Sequence, residues 1–125
     1  MKAHDIRAAL STVPLGTVTT AEENAAAFPK LASFDSGAVY VGRFSGGDSP
    51  WERHPSADEL IHVLEGEVDF TVLTTEGPVC VTIKPGCVFV VPKGMWHRPV
   101  ARPAVTILAV TPEPSEVSFE EPSLR

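Results

Sequence analysis

The sequence has few cysteines, few basic residues and no long apolar run, and each shortage excludes a class of protein. Only two of its 125 residues are cysteine, so no disulfide framework holds the chain, which is long enough to build a core without one. Ten Lys and Arg residues face sixteen Asp and Glu residues, and the net charge of -6 argues against nucleic acid or an anionic membrane as a partner. No stretch approaches the roughly 20 apolar residues of a membrane span, and the N-terminus lacks the apolar run of a secretion signal. We therefore expect one cytoplasmic domain.

The two cysteines, Cys80 and Cys87, lie on either side of the turn-like segment Lys84-Pro85-Gly86. Strand pairing about that turn would place Cys80 opposite a residue beyond Cys87, so the geometry disfavours a disulfide between them. Unpaired thiols fit a reducing compartment, and we expect both side chains to be buried as small apolar groups.

Proline and glycine are frequent, with twelve and nine residues, and they separate short apolar runs. From Gly37 onward these runs are rich in Val, Ile, Phe and Thr, which is typical of an all-β sandwich or barrel. Eight strands are a natural number for a closed barrel or jelly roll. The predicted strands are Ala38–Phe44, Trp51–His54, Glu59–Leu64, Glu67–Leu73, Val79–Ile83, Val88–Val91, Trp96–Val100 and Val105–Val110.

Composition divides the chain into three parts. Residues 1–36 are predicted to form a short, partly helical extension that packs on the barrel, with a helical turn at Asp5–Leu10 and a second helix capped by Thr20 and Glu23. Residues 37–111 are predicted to form the barrel itself. Residues 112–125 form an acidic tail rich in Pro and Glu, loosely held and adding at most one edge strand, at Val117–Phe119.

Four side chains are candidates for one shared site. Residues two apart on a strand share a face, so Glu52 and His54 point the same way. Glu59 follows His54 by five residues, and the loop formed by residues 55–58 can reset the alternation so that Glu59 rejoins the same inner face. A later strand and a tight turn lead directly to His97, and a neighbouring hairpin could bring this imidazole beside the other three groups.

Strand alternation also assigns the neighbours of these candidates to one face or the other. If Glu59 points inward, Ile61 and Val63 do too, and they form an apolar floor beneath it. The outer face then carries Leu60, His62, Leu64, Arg53 and Arg98. His62 is therefore not expected to be a ligand, and the two arginines are expected to pair with surface carboxylates.

The spacing of these residues resembles the two sequence motifs of the cupin superfamily. The first motif reads Gly-x5-His-x-His-x3,4-Glu-x6-Gly, and its matching residues are Gly46, His54, Glu59 and Gly66. The second reads Gly-x5-Pro-x-Gly-x2-His-x3-Asn, and its matching residues are Gly86, Pro92, Gly94 and His97. The resemblance covers roughly Ala38 to Val110 and implies a double-stranded β-helix, the jelly-roll barrel of cupins, with a metal inside.

Two positions depart from these motifs. Glu52 stands where the family has its first metal-binding His, and Ala101 replaces the Asn that closes the second motif. The resemblance implies that His54, Glu59 and His97 bind a divalent transition metal, and such mixed ligands leave Fe, Mn, Ni, Zn, Co and Cu open. If Glu52 is a fourth ligand, the metal is a weaker Lewis acid. If Glu52 turns away, it is free to act as a catalytic general base beside a two-His, one-carboxylate face suited to iron(II) oxygen chemistry.

Three side chains adjoin the ligands in sequence, and we expect Trp51, Met95 and Trp96 to wall a substrate pocket, although core or dimer packing would explain them equally well. The favoured function is that of a metal-dependent enzyme acting on a small organic metabolite by oxygenase, isomerase or lyase chemistry. The alternative is a sensor or carrier that binds a metal or small ligand without turnover. A saturated site closed by Trp96 would favour that alternative.

The resemblance also implies a homodimer formed through an apolar outer face of the barrel. Leu60, His62 and Leu64 could contribute to this face. The other expected partner is a small-molecule ligand, and neither nucleic acid nor a membrane is expected to bind.

Overall fold

The computed structural model describes residues 1–123. Within these residues two short helices precede eight strands, and neither helix is long and apolar enough to span a membrane. The elements are α1 (Ile6–Leu10), α2 (Ala21–Ala27), β1 (Lys30–Phe34), β2 (Gly37–Ser45), β3 (Trp51–Arg53), β4 (Glu59–Thr74), β5 (Gly77–Ile83), β6 (Val88–Val91), β7 (His97–Pro112) and β8 (Glu116–Ser118).

Helix α1 forms within the predicted helical turn, and α2 begins at its predicted cap. The Asp5 side chain accepts a hydrogen bond from a backbone N–H in the first turn of α1. At α2 the predicted capping box is confirmed, because Thr20 accepts from the backbone of Glu23 while the Glu23 carboxylate accepts from the backbone of Thr20. Val18 and Ala27 belong to the buried core, so this N-terminal segment packs against the sheet.

The strands form one antiparallel sheet that curls into half of a barrel. β7 lies at its centre, since it pairs with both β2 and β4 over most of its length. β1 extends the sheet beyond β2, β5 and β6 extend it beyond β4, and β3 pairs with the first residue of β7 and with β8. The inner face carries most of the core, which includes Phe44, Ile61, Val63, Val68, Phe70, Ile83, Val91, Val105 and Ile107.

β4 and β7 are each 16 residues long, whereas the sequence predicts two shorter strands in place of each. The predicted breaks at Glu65-Gly66 and Arg102-Pro103 are therefore bends within continuous strands. The register of β4 against β7 shifts on both sides of Gly66, as happens where a bulge bends a strand without ending its pairing. These bends let the β4–β7 ribbon coil around the core.

Other segments also differ from the predictions. β1 lies where no strand is predicted, and it forms by pairing with β2. β8 overlaps the predicted edge strand but begins one residue earlier, and residues 124 and 125 of the predicted tail lie outside the described residues. Cys80 and Cys87 are unpaired, as predicted, but both are exposed instead of buried. Cys80 is exposed because β5 has a single neighbouring strand, and Cys87 follows a turn.

Candidate metal centre

Four side chains from three segments meet at one end of the curled sheet. Glu52 lies on β3 and His54 directly follows that strand, while Glu59 begins β4 and His97 begins β7. Glu52 is the register partner of His97. His97 also pairs with Val72, which in a flat strand would lie about 40 Å from Glu59. Because the ribbon coils, Oε1 of Glu59 is instead 3.2 Å from Nε2 of His97.

Three of the four side chains are almost fully buried. His54 and His97 are each 2% exposed, and Glu59 is 5% exposed. Oε1 of Glu59 faces both imidazoles, since it also lies 3.4 Å from Nε2 of His54. Glu52 is more peripheral, with a side chain that is 28% exposed and an Oε2 atom 3.9 Å from Nε2 of His54. The structure thus brings all four candidate residues together.

The two imidazoles are each held on the side away from the cluster. Nδ1 of His97 donates a hydrogen bond of 3.0 Å to the backbone carbonyl of Met95, which leaves Nε2 with its lone pair. Nδ1 of His54 lies 2.9 Å from the hydroxyl of Ser115, which can accept its proton in the same way. Bonds of this kind fix the tautomer and the ring orientation of histidine ligands in metal sites.

The cluster perturbs the pKa of its own members in the metal-free protein. Burial alone raises the pKa of Glu59, but the facing imidazoles of His54 and His97 outweigh it and hold the pKa at about 2. Burial lowers the pKa of His97, but its contact with Glu59 outweighs this and the net pKa is raised. Desolvation and the charge of Glu59 raise the pKa of Glu52. Glu59 is therefore the ionised carboxylate of the cluster.

The unpartnered nitrogen atoms of the cluster fit a metal ion. Nε2 of His54 and Nε2 of His97 are buried, and neither has a hydrogen-bond partner within residues 1–123. Two donors that each lie about 2.1 Å from one ion are about 3.0–3.4 Å apart at octahedral or tetrahedral angles. The two contacts of Glu59, at 3.2 and 3.4 Å, match that spacing. Ligand atoms of Glu52, His54 and His97 also lie within 4.8 Å of one another. These residues form a candidate site for a divalent metal.

The cluster borders a cavity of about 490 Å³, a volume within the range of small-molecule sites. Glu52, Glu59 and His97 line it, so three members of the cluster are accessible from the cavity. Its wall is otherwise mostly apolar, with contributions from Val18, Phe28, Ile61, Phe70, Ile107 and Val117. The arrangement places ionisable groups at the wall of a largely apolar chamber.

The structure does not bring Trp51, Met95 and Trp96 into the wall of this cavity. Trp51 is buried, and the guanidinium carbon of Arg98 lies 4.7 Å from its ring centroid. Arg53 covers Trp96 in the same way at 4.6 Å, and Met95 and Trp96 line a second cavity of about 270 Å³. Alternation is the reason for this placement, because Trp51 lies on the strand face opposite the candidate ligands. These three side chains therefore lie away from the cavity that the cluster borders, and their part in a substrate pocket stays a prediction.

The hydroxyl of Thr111 is a member of the site that the sequence motifs do not indicate. It donates a hydrogen bond of 2.6 Å to Oε2 of Glu59, on the side of the carboxylate away from the imidazoles. The predicted strand ends at Val110, one residue short. Extending the alternation from Ile107 would have placed Thr111 on the inner face, so the signal was present in the strand period.

Ser115, the partner of His54, lies in the segment predicted to be a loosely held tail. Pairing of β8 with β3 fixes this segment, and Arg53 forms the expected surface ion pair, here with Glu116 of β8. Val117 of the same strand lines the cavity. Acidic composition gave no sign that the segment completes the site, because its path depends on tertiary pairing.

The coiled antiparallel sheet and its His and Glu cluster define a small barrel protein with a candidate metal centre. The family model of the cupin domain matches residues 45–111, which is more than half of the chain, and the chain therefore belongs to the cupin family. This confirms the resemblance that the motifs indicate, and with it the jelly-roll barrel.

Sequence relatives are plant proteins of greater length. Germin-like protein subfamily 2 member 4 of Arabidopsis thaliana is 39% identical over 88 residues, covering 64% of this chain and 40% of the relative. Nectarin-1 of Nicotiana plumbaginifolia is 37% identical over 81 residues, covering 64% of this chain and 34% of the relative. The chain thus spans two fifths or less of the length of these curated relatives.

Solved structures share the fold at low identity. A protein of Neisseria meningitidis superposes with a TM-score of 0.66 at 17% identity, over 90% of this chain and all of the other. Hydroquinone 1,2-dioxygenase from Sphingomonas sp. TTNP3 gives a TM-score of 0.64 at 14% identity, over 88% of this chain and 73% of the enzyme. Hydroxypropylphosphonic acid epoxidase from S. wedmorenis gives 0.58 at 18% identity, over 67% of this chain and 49% of the enzyme.

Proposed function

We propose that this protein is a metal-dependent cupin enzyme that acts on a small organic molecule. The observation that carries the proposal is the position of the candidate ligands, since a buried cluster with two unpartnered imidazole nitrogens borders a largely apolar cavity of about 490 Å³. His54, Glu59 and His97 are the proposed metal ligands. When bound, a divalent ion would act as a Lewis acid toward a substrate or toward oxygen.

Glu52 is proposed as the general base and not as a fourth ligand. Its Oε2 atom lies 3.9 Å from Nε2 of His54, a wider spacing than that between Glu59 and either imidazole. The Glu52 carboxylate lines the cavity, and desolvation raises its pKa. It can therefore take up a proton from a substrate, whereas Glu59 is committed to the two histidines. Glu59 stays ionised and holds the two histidines in place.

Among the reaction types that the fold supports, this ligand set favours oxygenase chemistry over isomerase or lyase chemistry. Two histidines and one carboxylate are the ligands of many non-haem iron(II) oxygenases. Two of the structural relatives are named as a dioxygenase and an epoxidase, and their likeness in fold agrees with this choice without carrying it.

A sensor or carrier function would be favoured by a saturated site closed by an aromatic side chain. Trp96 stacks with Arg53 outside the cavity instead of capping the cluster. The accessible cluster supports the enzyme over the binder.

We also propose that the protein acts as a homodimer, formed through the outer face of β4 and β6.

Elemental analysis of the purified protein, before and after reconstitution with each candidate metal, tests the proposal. We expect one equivalent of a transition metal per chain, lost in His97→Ala and retained in Glu52→Gln. His62→Ala is the matched control, because His62 lies on the outer face of the same strand as Glu59 and should leave the metal content unchanged. Glu52→Gln should also abolish oxygen consumption with an accepted substrate.

Two results would contradict these assignments. A protein that takes up no metal after reconstitution would refute the metalloenzyme proposal. Loss of metal in Glu52→Gln would make Glu52 a ligand and remove it as the base.

A further inference from the structure

The cavity has a second polar region across the sheet from the metal cluster. Lys30 on β1 and Tyr40 on β2 are register partners, and both line the cavity. They belong to a row of directly paired residues that crosses four strands, because Tyr40 pairs with Ala109 and Ala109 pairs with Ile61. All four residues of the row line the cavity, and Ile61 shares the inner face of β4 with Glu59.

The row sets the separation between the two polar regions. Adjacent strands lie about 4.8 Å apart, so three steps from β4 to β1 span about 14 Å along the curled sheet. Apolar Ile61 and Ala109 lie between the two polar regions. A span of this order suits a molecule with a short chain or a single ring.

The charge of Lys30 is not balanced by a protein group. No carboxylate lies within ion-pair distance of it among residues 1–123. Lys30 is itself exposed on edge strand β1 and lines the cavity, so its ammonium is open to a ligand that enters there.

We propose that the substrate is a small organic acid whose carboxylate binds the Lys30 ammonium and the Tyr40 hydroxyl. Its apolar body lies over Ile61 and Ala109, and its other end reaches the metal cluster. This inference rests on the proposed function, because it names the substrate class of the same cavity. Charge-assisted hydrogen bonds are the strong polar contacts of such sites, and an apolar cavity makes them selective.

Calorimetric titration of carboxylates against their primary amides tests the inference. The probes are hexanoate with hexanamide and benzoate with benzamide, each titrated into metal-free protein and into protein loaded with redox-inert zinc. We expect each acid to bind at least about tenfold more tightly than its amide, the ratio that one hydrogen bond to a charged group provides. Lys30→Met should abolish this ratio and Lys30→Arg should keep most of it. Tyr40→Phe should reduce it.

Lys84→Met is the control, because Lys84 is an exposed residue of the β5–β6 turn and does not line the cavity. An unchanged acid-to-amide ratio in Lys30→Met would overturn the inference and place the carboxylate at the metal cluster. Equal affinities for acid and amide in the native protein would also overturn it. Zinc uptake is measured in the same samples, so a protein that prefers acids but binds no zinc would refute the proposed function alone.

Discussion

The Nδ1 atoms of the two candidate histidine ligands are held by different parts of the chain. His97 is held by the carbonyl of Met95, only two residues away, whereas His54 is held by Ser115, 61 residues away. The local bond forms whenever the turn before β7 forms. The distant bond depends on Ser115 in the C-terminal tail. A change at this one hydroxyl should therefore alter metal binding by His54.

Ser115→Ala should therefore weaken metal binding by about tenfold, the lower end of the range for loss of a group that orients a ligand. The reason is that the His54 ring loses the acceptor that fixes its tautomer and orientation. Competition against a chromophoric chelator measures the affinity. Ser118→Ala is the matched control, since this hydroxyl lies on β8 but hydrogen-bonds Glu120 and no ligand. Equal affinity in Ser115→Ala and the native protein would show that the hydroxyl does not orient His54.

The residues of the cluster could be predicted from the sequence, but the hydroxyl that supports His54 could not. Glu52, His54, Glu59 and His97 follow from strand alternation and motif spacing, and the structure brings these four together. Ser115 reaches the site through long-range pairing of β8 with β3, which leaves no local pattern. Positions set by local geometry were predictable, and those set by tertiary pairing were not.

At the scale of the elements, Gly66 is the residue on which the coiling of the β4–β7 ribbon depends. It has a φ of +73°, and a Cβ atom at this position would lie 2.1 Å from the carbonyl oxygen of Ala104 on β7. Only glycine meets both conditions without strain. The sequence analysis predicts a break between two strands at this glycine, although an isolated glycine within a strand pattern also indicates a bulge or a close backbone approach. Here it permits a bend and the strand continues.

Gly66→Ala should lower the free energy of unfolding of the metal-free protein by about 3 kcal/mol or more, from backbone strain and from displacement of β7. Gly86→Ala is the matched control. Gly86 has a similar φ of +83° but no atom within 4 Å of the added Cβ. Its cost should be only the backbone term of about 1–2 kcal/mol. Urea unfolding measures both values, and equal losses would show that the contact with β7 contributes nothing.

At the scale of the whole molecule, the outer face of β4 and β6 is apolar and uncovered in the single chain. Leu60 pairs with Val90, and His62 pairs with Val88, on the side of the sheet opposite Ile61. The exposed fractions are 37% for Leu60, 58% for Val88 and 49% for Val90, and β6 carries no charged residue. Monomeric proteins protect edge strands with charge, and contiguous exposed apolar area marks interaction surfaces.

We therefore expect light scattering after size exclusion to give twice the 13.4 kDa mass of one chain. Val90→Lys should shift the protein toward the single-chain mass, because a dimer would bury the added charge without a partner. Val79→Lys is the control. Val79 is 48% exposed, like Val90, but it lies on β5, on the same face of the sheet as its strand partner Val72. A native protein of single-chain mass at all concentrations would contradict the dimer, and dissociation by Val79→Lys alone would move the interface to β5. The metal cluster and the Lys30 region lie on the inner face, so both should stay accessible in a dimer formed through the outer face of β4 and β6.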